Sequence, residues 1–207
     1  MAERASGVSG GLAWSTASVP LEGQQRSGDL ALVHTVRGNT LVAVIDGLGH
    51  GEEAAVAANA ASDAVLRYSP QPLERLMELC HQDVARTRGV VMTIATIAAG
   101  GEFMHWLGVG NVGAVVVHAD AGNGPQREWA LLFGGVIGYR LPVIRPSTVT
   151  FRPGDVLVMA TDGLDSSFGD AVSPTVPSQR LLQDILDRHH KGTDDALVLA
   201  ARRVSEQ

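Results

Sequence analysis

Cysteine is nearly missing from this chain: Cys80 stands alone among 207 residues. A single thiol makes no intrachain disulfide and no zinc cluster of several thiolates. Aromatic side chains are scarce too, at 4%. The longest apolar stretch, near Val90–Ala99, is far short of the roughly 20 residues a membrane helix needs. Met1 to Ser18 shows no basic segment followed by an apolar block, so no signal peptide is expected. Positive charge is in deficit, with 16 Lys and Arg against 22 Asp and Glu and a net charge of −6. Nucleic-acid binding, which uses a basic face to displace counterions, is therefore not expected. These absences predict an acidic, soluble protein of the cytoplasm, with no membrane partner. The length fits a single domain over 1–207, and a monomer is the simplest expectation.

What is present is glycine, 24 residues of it, in a chain that is 45% hydrophobic. Many short elements joined by tight turns follow from that composition. Leu12–Val19 reads as a strand, and Leu30–Val36 and Thr40–Ile45 as a hairpin about Arg37-Gly38-Asn39. Glu52 to Tyr68 is rich in alanine and free of Pro and Gly, which predicts a helix. Pro70 and Pro72 end it. Leu73, Leu76, Met77, Cys80 and Val84 then recur at helical spacing, predicting a second helix to about Thr87. Val90–Ala98, Glu102–Val109, Val112–His118 and Trp129–Phe133 have the pattern of an antiparallel meander. Thr148–Phe151 and Val156–Thr161 flank the turn Arg152-Pro153-Gly154-Asp155, in which Asp155 reads as an exposed turn residue. A third helix around Leu181–Leu186 has Ser178 as its N-cap, and Ala196–Ala200 is the last strand. Helices gathered in two blocks within a β-rich chain predict an α+β layered sandwich rather than regular βαβ alternation.

Two strand ends resemble each other. Val42 to Ile45 runs into Asp46-Gly47-Leu48, and Leu157 to Thr161 runs into Asp162-Gly163-Leu164. An apolar strand fixes its terminal Asp on the sheet rim, and the Gly leaves backbone and space open beside it. Asp29, in Ser27-Gly28-Asp29, and Asp194-Asp195 each precede a predicted strand. If these rims coincide, the carboxylates converge and repel one another, and a cation is needed among them. Oxygen donors without Cys or clustered His suit hard ions, Mg²⁺ or Mn²⁺. Taken singly, each Asp-Gly is also an ordinary turn pair. The run Asp46-Gly47-Leu48-Gly49-His50-Gly51 offers a dinucleotide cradle as an alternative. Its glycine spacing departs from G-x-G-x-x-G, and the next helix leads to another helix rather than to a parallel strand.

Five pieces in order carry a stronger signal than any one of them. Ser27-Gly28-Asp29, Asp46-Gly47-Leu48-Gly49-His50-Gly51, Gly108-Val109-Gly110-Asn111, Ala160-Thr161-Asp162-Gly163-Leu164 and Thr193-Asp194-Asp195-Ala196 together resemble the metal-dependent protein phosphatase (PPM) family, in its SpoIIE-like bacterial branch. The resemblance runs from residue 27 to the C-terminus. It implies an αββα sandwich, two antiparallel sheets face to face with helices outside. It also implies a centre of two divalent cations, Mn²⁺ or Mg²⁺. On that resemblance Asp46 bridges the two ions and the carbonyl of Gly47 binds one. Asp162 and Asp194 complete the other, Asp29 serves the centre directly or through a water, and Asp195 lies behind the ligands. A metal-activated water would then hydrolyse phosphoserine or phosphothreonine without a phosphoenzyme. Asp46 and Asp162 are thus the catalytic candidates.

His50 is a third candidate, as general acid, although the eukaryotic branch has its His directly after the metal-binding Asp-Gly, where this chain has Leu48. Arg26 is a candidate for substrate phosphate and equally a solvated surface residue. The loop glycines 134, 135 and 138 either flank the site or make a plain turn. Cys80 reads as core. The short chain and its DGLGHG form resemble the small stressosome phosphatases of the SpoIIE-like branch, and this resemblance implies phosphorylated STAS-domain proteins of a stressosome as partners, the phosphatase resetting a stress response. Two alternatives stay open: a phosphatase of an anti-sigma-factor antagonist, and a non-catalytic metal-binding docking domain.

Overall fold

The computed structural model describes residues 3–173 and 177–205. Twelve strands and three helices follow one another in the order β1 (Glu3–Ser9), β2 (Leu12–Val19), β3 (Asp29–Val36), β4 (Asn39–Gly47), α1 (Glu52–Tyr68), α2 (Leu73–Asp83), β5 (Val90–Ala98), β6 (Phe103–Val109), β7 (Gly113–Val117), β8 (Arg127–Trp129), β9 (Leu132–Phe133), β10 (Ser147–Thr150), β11 (Val156–Ala160), α3 (Gln179–His189) and β12 (Ala196–Arg203). They form two sheets, ordered β1-β2-β12-β11-β7-β8 and β10-β6-β5-β4-β3. Pairing is antiparallel throughout except where the short β9 lies parallel to β6. The predicted sandwich of two sheets between helices is the observed architecture. No helix among the described residues is long and apolar enough to cross a membrane.

Period-two alternation builds the layers. On β4, Val42 and Val44 face the other sheet, where they meet Leu157, Met159, Leu197 and Leu199. Ala43 and Ile45, on the opposite face, pack with Ala57, Ala61, Leu76, Met77 and Cys80 of α1 and α2. On β11, Val156, Val158 and Ala160 turn outward to Leu182, Ile185 and Leu186 of α3. The alanines of α1 let that helix lie close on its sheet. Its N-terminal turn approaches so tightly that a Cβ at Gly47 would stand 2.1 Å from the Ala54 carbonyl oxygen. Ser178 caps α3 as predicted, its hydroxyl accepting from the Leu181 N–H at 3.2 Å.

Four expectations need correction. The segment Glu3–Ser9 is a strand that the sequence reading leaves out, paired with β2 about the Gly10-Gly11 turn. Helix α2 stops at Asp83, and the chain from Val84 to Thr87 forms a turn closed by the Thr87 N–H on the Val84 carbonyl at 2.9 Å. The single strand expected over Trp129–Phe133 is two short strands in different sheets, β8 beside β7 and β9 beside β6. Asp155 is not an exposed turn residue. It is only 3% exposed, and its carboxylate accepts from the Ala119 and Arg152 N–H groups, each at 2.9 Å. It also meets His118 Nδ1 at 3.1 Å. The antiparallel pairing of β3, β4 and β5 around α1 and α2 removes the βαβ unit that a dinucleotide cradle requires.

Candidate active site

Asp46 ends β4 in one sheet, and Asp162 follows β11 in the other. Packing the two sheets face to face brings these corners to one rim. There Asp46, Asp162 and Asp194 line a cleft of about 410 Å³ together with Leu48, Gly49 and Asn111. Gly134, Gly135 and Val136 also line it, so two of the three loop glycines flank the cleft, while Gly138 packs against Val84 and Gly89 instead. Asp29 sits directly across the ladder from Asp46, and it also borders an adjoining 380 Å³ recess lined by Arg4, Arg26 and Asn59. A roomier groove of 480 Å³ lies at the other end of β3 and β4, around Leu41, Pro70 and Leu73. It has no cluster of carboxylates.

Glycine makes the corner possible at two positions. Beyond Gly47, a Cβ at Gly28 would stand 2.6 Å from the Ala54 Cβ. The Gly47 N–H donates to the Gly28 carbonyl at 3.0 Å, which fastens the Ser27–Asp29 turn against the Asp46 corner. Asp195 completes the fastening from behind. It is buried, and its carboxylate accepts from the Leu21 N–H at 2.7 Å and the Gly28 N–H at 2.6 Å.

The carboxylates differ in what the protein gives them. Asp29 accepts from the Thr161 hydroxyl at 2.7 Å. Asp162 accepts from Asn111 Nδ2 at 2.6 Å, and Asp194 from the Asp195 N–H at 2.8 Å. Asp46 alone of the five has no hydrogen bond or ion pair to its carboxylate among the described residues. Burial, followed by the negative charges of Asp162, Asp194 and Asp195, pushes its carboxyl up from 3.8 to about 7. Ionising it fully thus costs on the order of 4 kcal/mol more than ionising a free aspartate. Burial and the charge of Asp46 also hold Asp29 well above the ordinary range, against the pull of Thr161. Asp162 is raised by burial and Asp194, while Lys191 and Asn111 draw it back.

These are hard oxygen donors around a carboxylate that lacks a counter-charge, a donor set that fits Mg²⁺ or Mn²⁺. As they stand, no three His, Cys, Asp or Glu side chains among the described residues close into a ready cage. Asp29 and Asp162 are instead engaged singly, by the Thr161 hydroxyl and the Asn111 amide. His50 is exposed and does not line the cleft. Arg26 pairs with Glu52 at 2.8 Å on the surface. Cys80 is buried in the helix layer, where burial pushes its thiol up to about 12. Asn111, which the sequence leaves between a turn residue and one that orders the site, does contact Asp162, and Lys191 is a contributor that sequence reasoning passes over. Asn111 follows a Gly at a strand end like any turn Asn, and Lys191 stands apart only by being the single lysine of the chain.

Comparison with known proteins gives the arrangement its relatives. The family model for stage II sporulation protein E (SpoIIE) matches residues 37–206. The phosphoserine phosphatase RsbX of Bacillus subtilis (strain 168) is 27% identical over 144 residues, 70% of either chain. A chain solved in work on the bacterial stressosome, as a modular system adapted to control secondary messenger signalling, superposes with a TM-score of 0.80. It is 27% identical, over 92% of this chain and 99% of that one. The crystal structure of RsbX in complex with magnesium shares the fold, with a TM-score of 0.83 at 21% identity over 97% of this chain and 99% of that one. With a family match over most of its length and the fold shared along nearly the whole chain with those relatives, the chain belongs to the SpoIIE family of PPM-type protein phosphatases.

Proposed function

We propose that this protein hydrolyses phosphoserine or phosphothreonine on a folded signalling partner, with two divalent cations held at the Asp46 cleft. The observation that carries the proposal is Asp46 itself, partly buried, without a donor and surrounded by four further carboxylates. A group left in that state is stabilised by keeping its proton or by binding a cation, and a cation is the ligand for which its surroundings are built. Asp46 and the Gly47 carbonyl would hold the ions from one sheet, Asp162 and Asp194 from the other, with Asp29 beside Asp46. When bound, the cations supply Lewis-acid activation of a water and neutralise charge on a phosphoryl group.

The remaining work falls to the chain. Asp195 holds the Ser27–Asp29 turn in place through the Leu21 and Gly28 N–H groups. Asn111 orients Asp162, and Thr161 orients Asp29. No side chain is needed as a nucleophile, in keeping with a buried Cys80. The partner class follows from the relatives: one is a phosphoserine phosphatase, and another was solved in a stressosome study. A phosphorylated STAS-domain protein of such an assembly is the proposed substrate. With a small open cleft, affinity for it must come from docking of folded surfaces around the phosphorylated residue.

The test is phosphate release from a phosphorylated STAS-domain protein and from a phosphopeptide of the same sequence, with Mn²⁺ or Mg²⁺ and with chelator. The expected result is cation-dependent release, far faster from the folded protein. Full activity in excess chelator would sink the metal reading, and equal kcat/KM on protein and peptide would sink the docking reading.

A further inference from the structure

Of the 16 basic residues, 15 are arginine. The one lysine, Lys191, sits beside the carboxylate cleft, and its ammonium donates to the Asp162 carbonyl oxygen at 2.7 Å. The backbone fixes it there. The Lys191 N–H donates to the Gly163 carbonyl at 2.9 Å, and His190 bridges to Leu164. The loop that starts with Lys191 thus runs along the Asp162 corner and delivers Asp194 to the cleft.

Lys191 differs from the arginines nearby in being unspent. Arg26 is paired with Glu52, and Arg88, which reaches across Gly49, is paired with Glu53. Lys191 has no carboxylate partner within ion-pair distance among the described residues, and its side chain is exposed. One hydrogen bond of its ammonium is to protein, the one to the Asp162 carbonyl oxygen, which leaves two N–H donors for another acceptor. Lys191 does not line the cleft itself; its ammonium rests on the backbone of Asp162, which does, and three residues further on the same loop places Asp194 in the lining. A phosphomonoester carries about two negative charges at neutral pH, and it must approach a cleft lined by Asp46, Asp162 and Asp194. A compact ammonium with free donors is the protein's own means of receiving it.

We propose that Lys191 is a substrate-binding residue that donates to a non-bridging phosphoryl oxygen of the incoming phosphoserine or phosphothreonine, and to the phosphate released. This rests on the phosphatase reading of the Asp46 cleft. A bare hydrogen bond to the Asp162 carbonyl would make Lys191 a brace for that turn and nothing more, and the two roles separate in kinetics.

In Lys191→Met, KM for p-nitrophenyl phosphate rises about tenfold. Inhibition by inorganic phosphate weakens by the same factor, and kcat and the half-saturating Mg²⁺ concentration stay within about twofold. Lys191→Arg recovers most of the KM. A fall in kcat with KM and phosphate inhibition unchanged would overturn the proposal in favour of the brace, and so would a variant indistinguishable from the parent. The single lysine permits a second reading on the parent chain. After reductive ¹³C-methylation, one ε-amine signal reports Lys191, with the α-amine as internal control. Inorganic phosphate added to the Mg²⁺-loaded protein should shift the ε signal saturably and leave the α signal in place. No shift would also overturn the proposal. Absence of any cation-dependent turnover in the parent would overturn the phosphatase reading instead, and the methyl titration would still decide whether Lys191 holds phosphate.

Discussion

Strand β11 carries an aspartate just before it and another just after it, and the two have opposite fates. Asp155, before Val156, is almost wholly buried and accepts from two backbone N–H groups and faces His118. It locks the Arg152–Asp155 turn to the ends of β7 and β12, the latter through the Arg203 N–H on its carbonyl at 2.9 Å. Asp162, after Ala160, is only partly buried, takes one side-chain donor, and opens onto a cleft with Asp46, which takes none. Burial alone therefore does not mark a functional carboxylate. A buried carboxylate with its acceptor sites filled holds the fold, and one left short of donors among like charges is poised to bind something.

The comparison breaks most visibly at Asp46. Asp46→Ala should lose at least about a thousandfold in phosphatase activity, with Asp162→Ala and Asp194→Ala losing most of theirs. In chelator, Asp46→Ala should melt no lower than the parent, since it removes a repelling charge. Steady-state kinetics with metal titration, alongside thermal melts, checks both. Near-normal turnover in Asp46→Ala would place the site elsewhere.

Asp155→Ala should do the reverse. Three polar partners lose their acceptor, at a cost of about 2–4 kcal/mol. For a chain of this size that lowers Tm by roughly 5–15 °C. Activity per folded molecule should be retained. A variant that is as stable as the parent and inactive would invert the roles assigned to the two aspartates.

A smaller effect sharpens the electrostatic half of the contrast. In the metal-free fold the Asp46 carboxyl is raised from 3.8 to about 7. Between those values the unfolded chain has lost this proton and the folded chain keeps it, so stability falls as pH rises from about 4 to about 7 and then levels off. Asp29 and Asp162 are shifted the same way and add to the slope. Melts in chelator across this range should show it, and Asp46→Asn should flatten it; an unchanged slope in that variant would mean that Asp46 is not its main source. The smallest expected effect is at Cys80. Thiol reagents should leave the folded enzyme's activity untouched, because the sulfur is buried and its ionisation is pushed up to about 12.

Much of this is readable from the chain. The two Asp-Gly corners stand out because each follows an unbroken apolar strand, and α1 stands out because its alanines exclude other readings. Their meeting is a tertiary fact: Thr161 and Asp29, 132 residues apart, touch only after the sheets have packed. Strand β1 is hidden because its pattern is polar and exposed. It is held by backbone pairing, and only Gly10-Gly11, both at positive φ, betray the hairpin. Asp155 is hidden for another reason. Pro-Gly-Asp reads as a solvent turn, and its burial comes from His118 and the β12 end, distant in sequence.

The hydroxyl of Thr161 on Asp29 has a mechanical consequence. It is a clasp between one sheet and the other, set at the end of the sandwich where like charges gather and press the two sheets apart. Asp195 reaching from β12's approach to the Gly28 N–H is a second clasp across the same gap. These two polar stitches oppose the repulsion among Asp46, Asp162 and Asp194, and a cation seated between the corners would turn that repulsion into attraction. Binding would then become adhesion: a cation held by Asp46 from one sheet and Asp162 from the other would glue the layers together, and its affinity would add to the work of prying them apart.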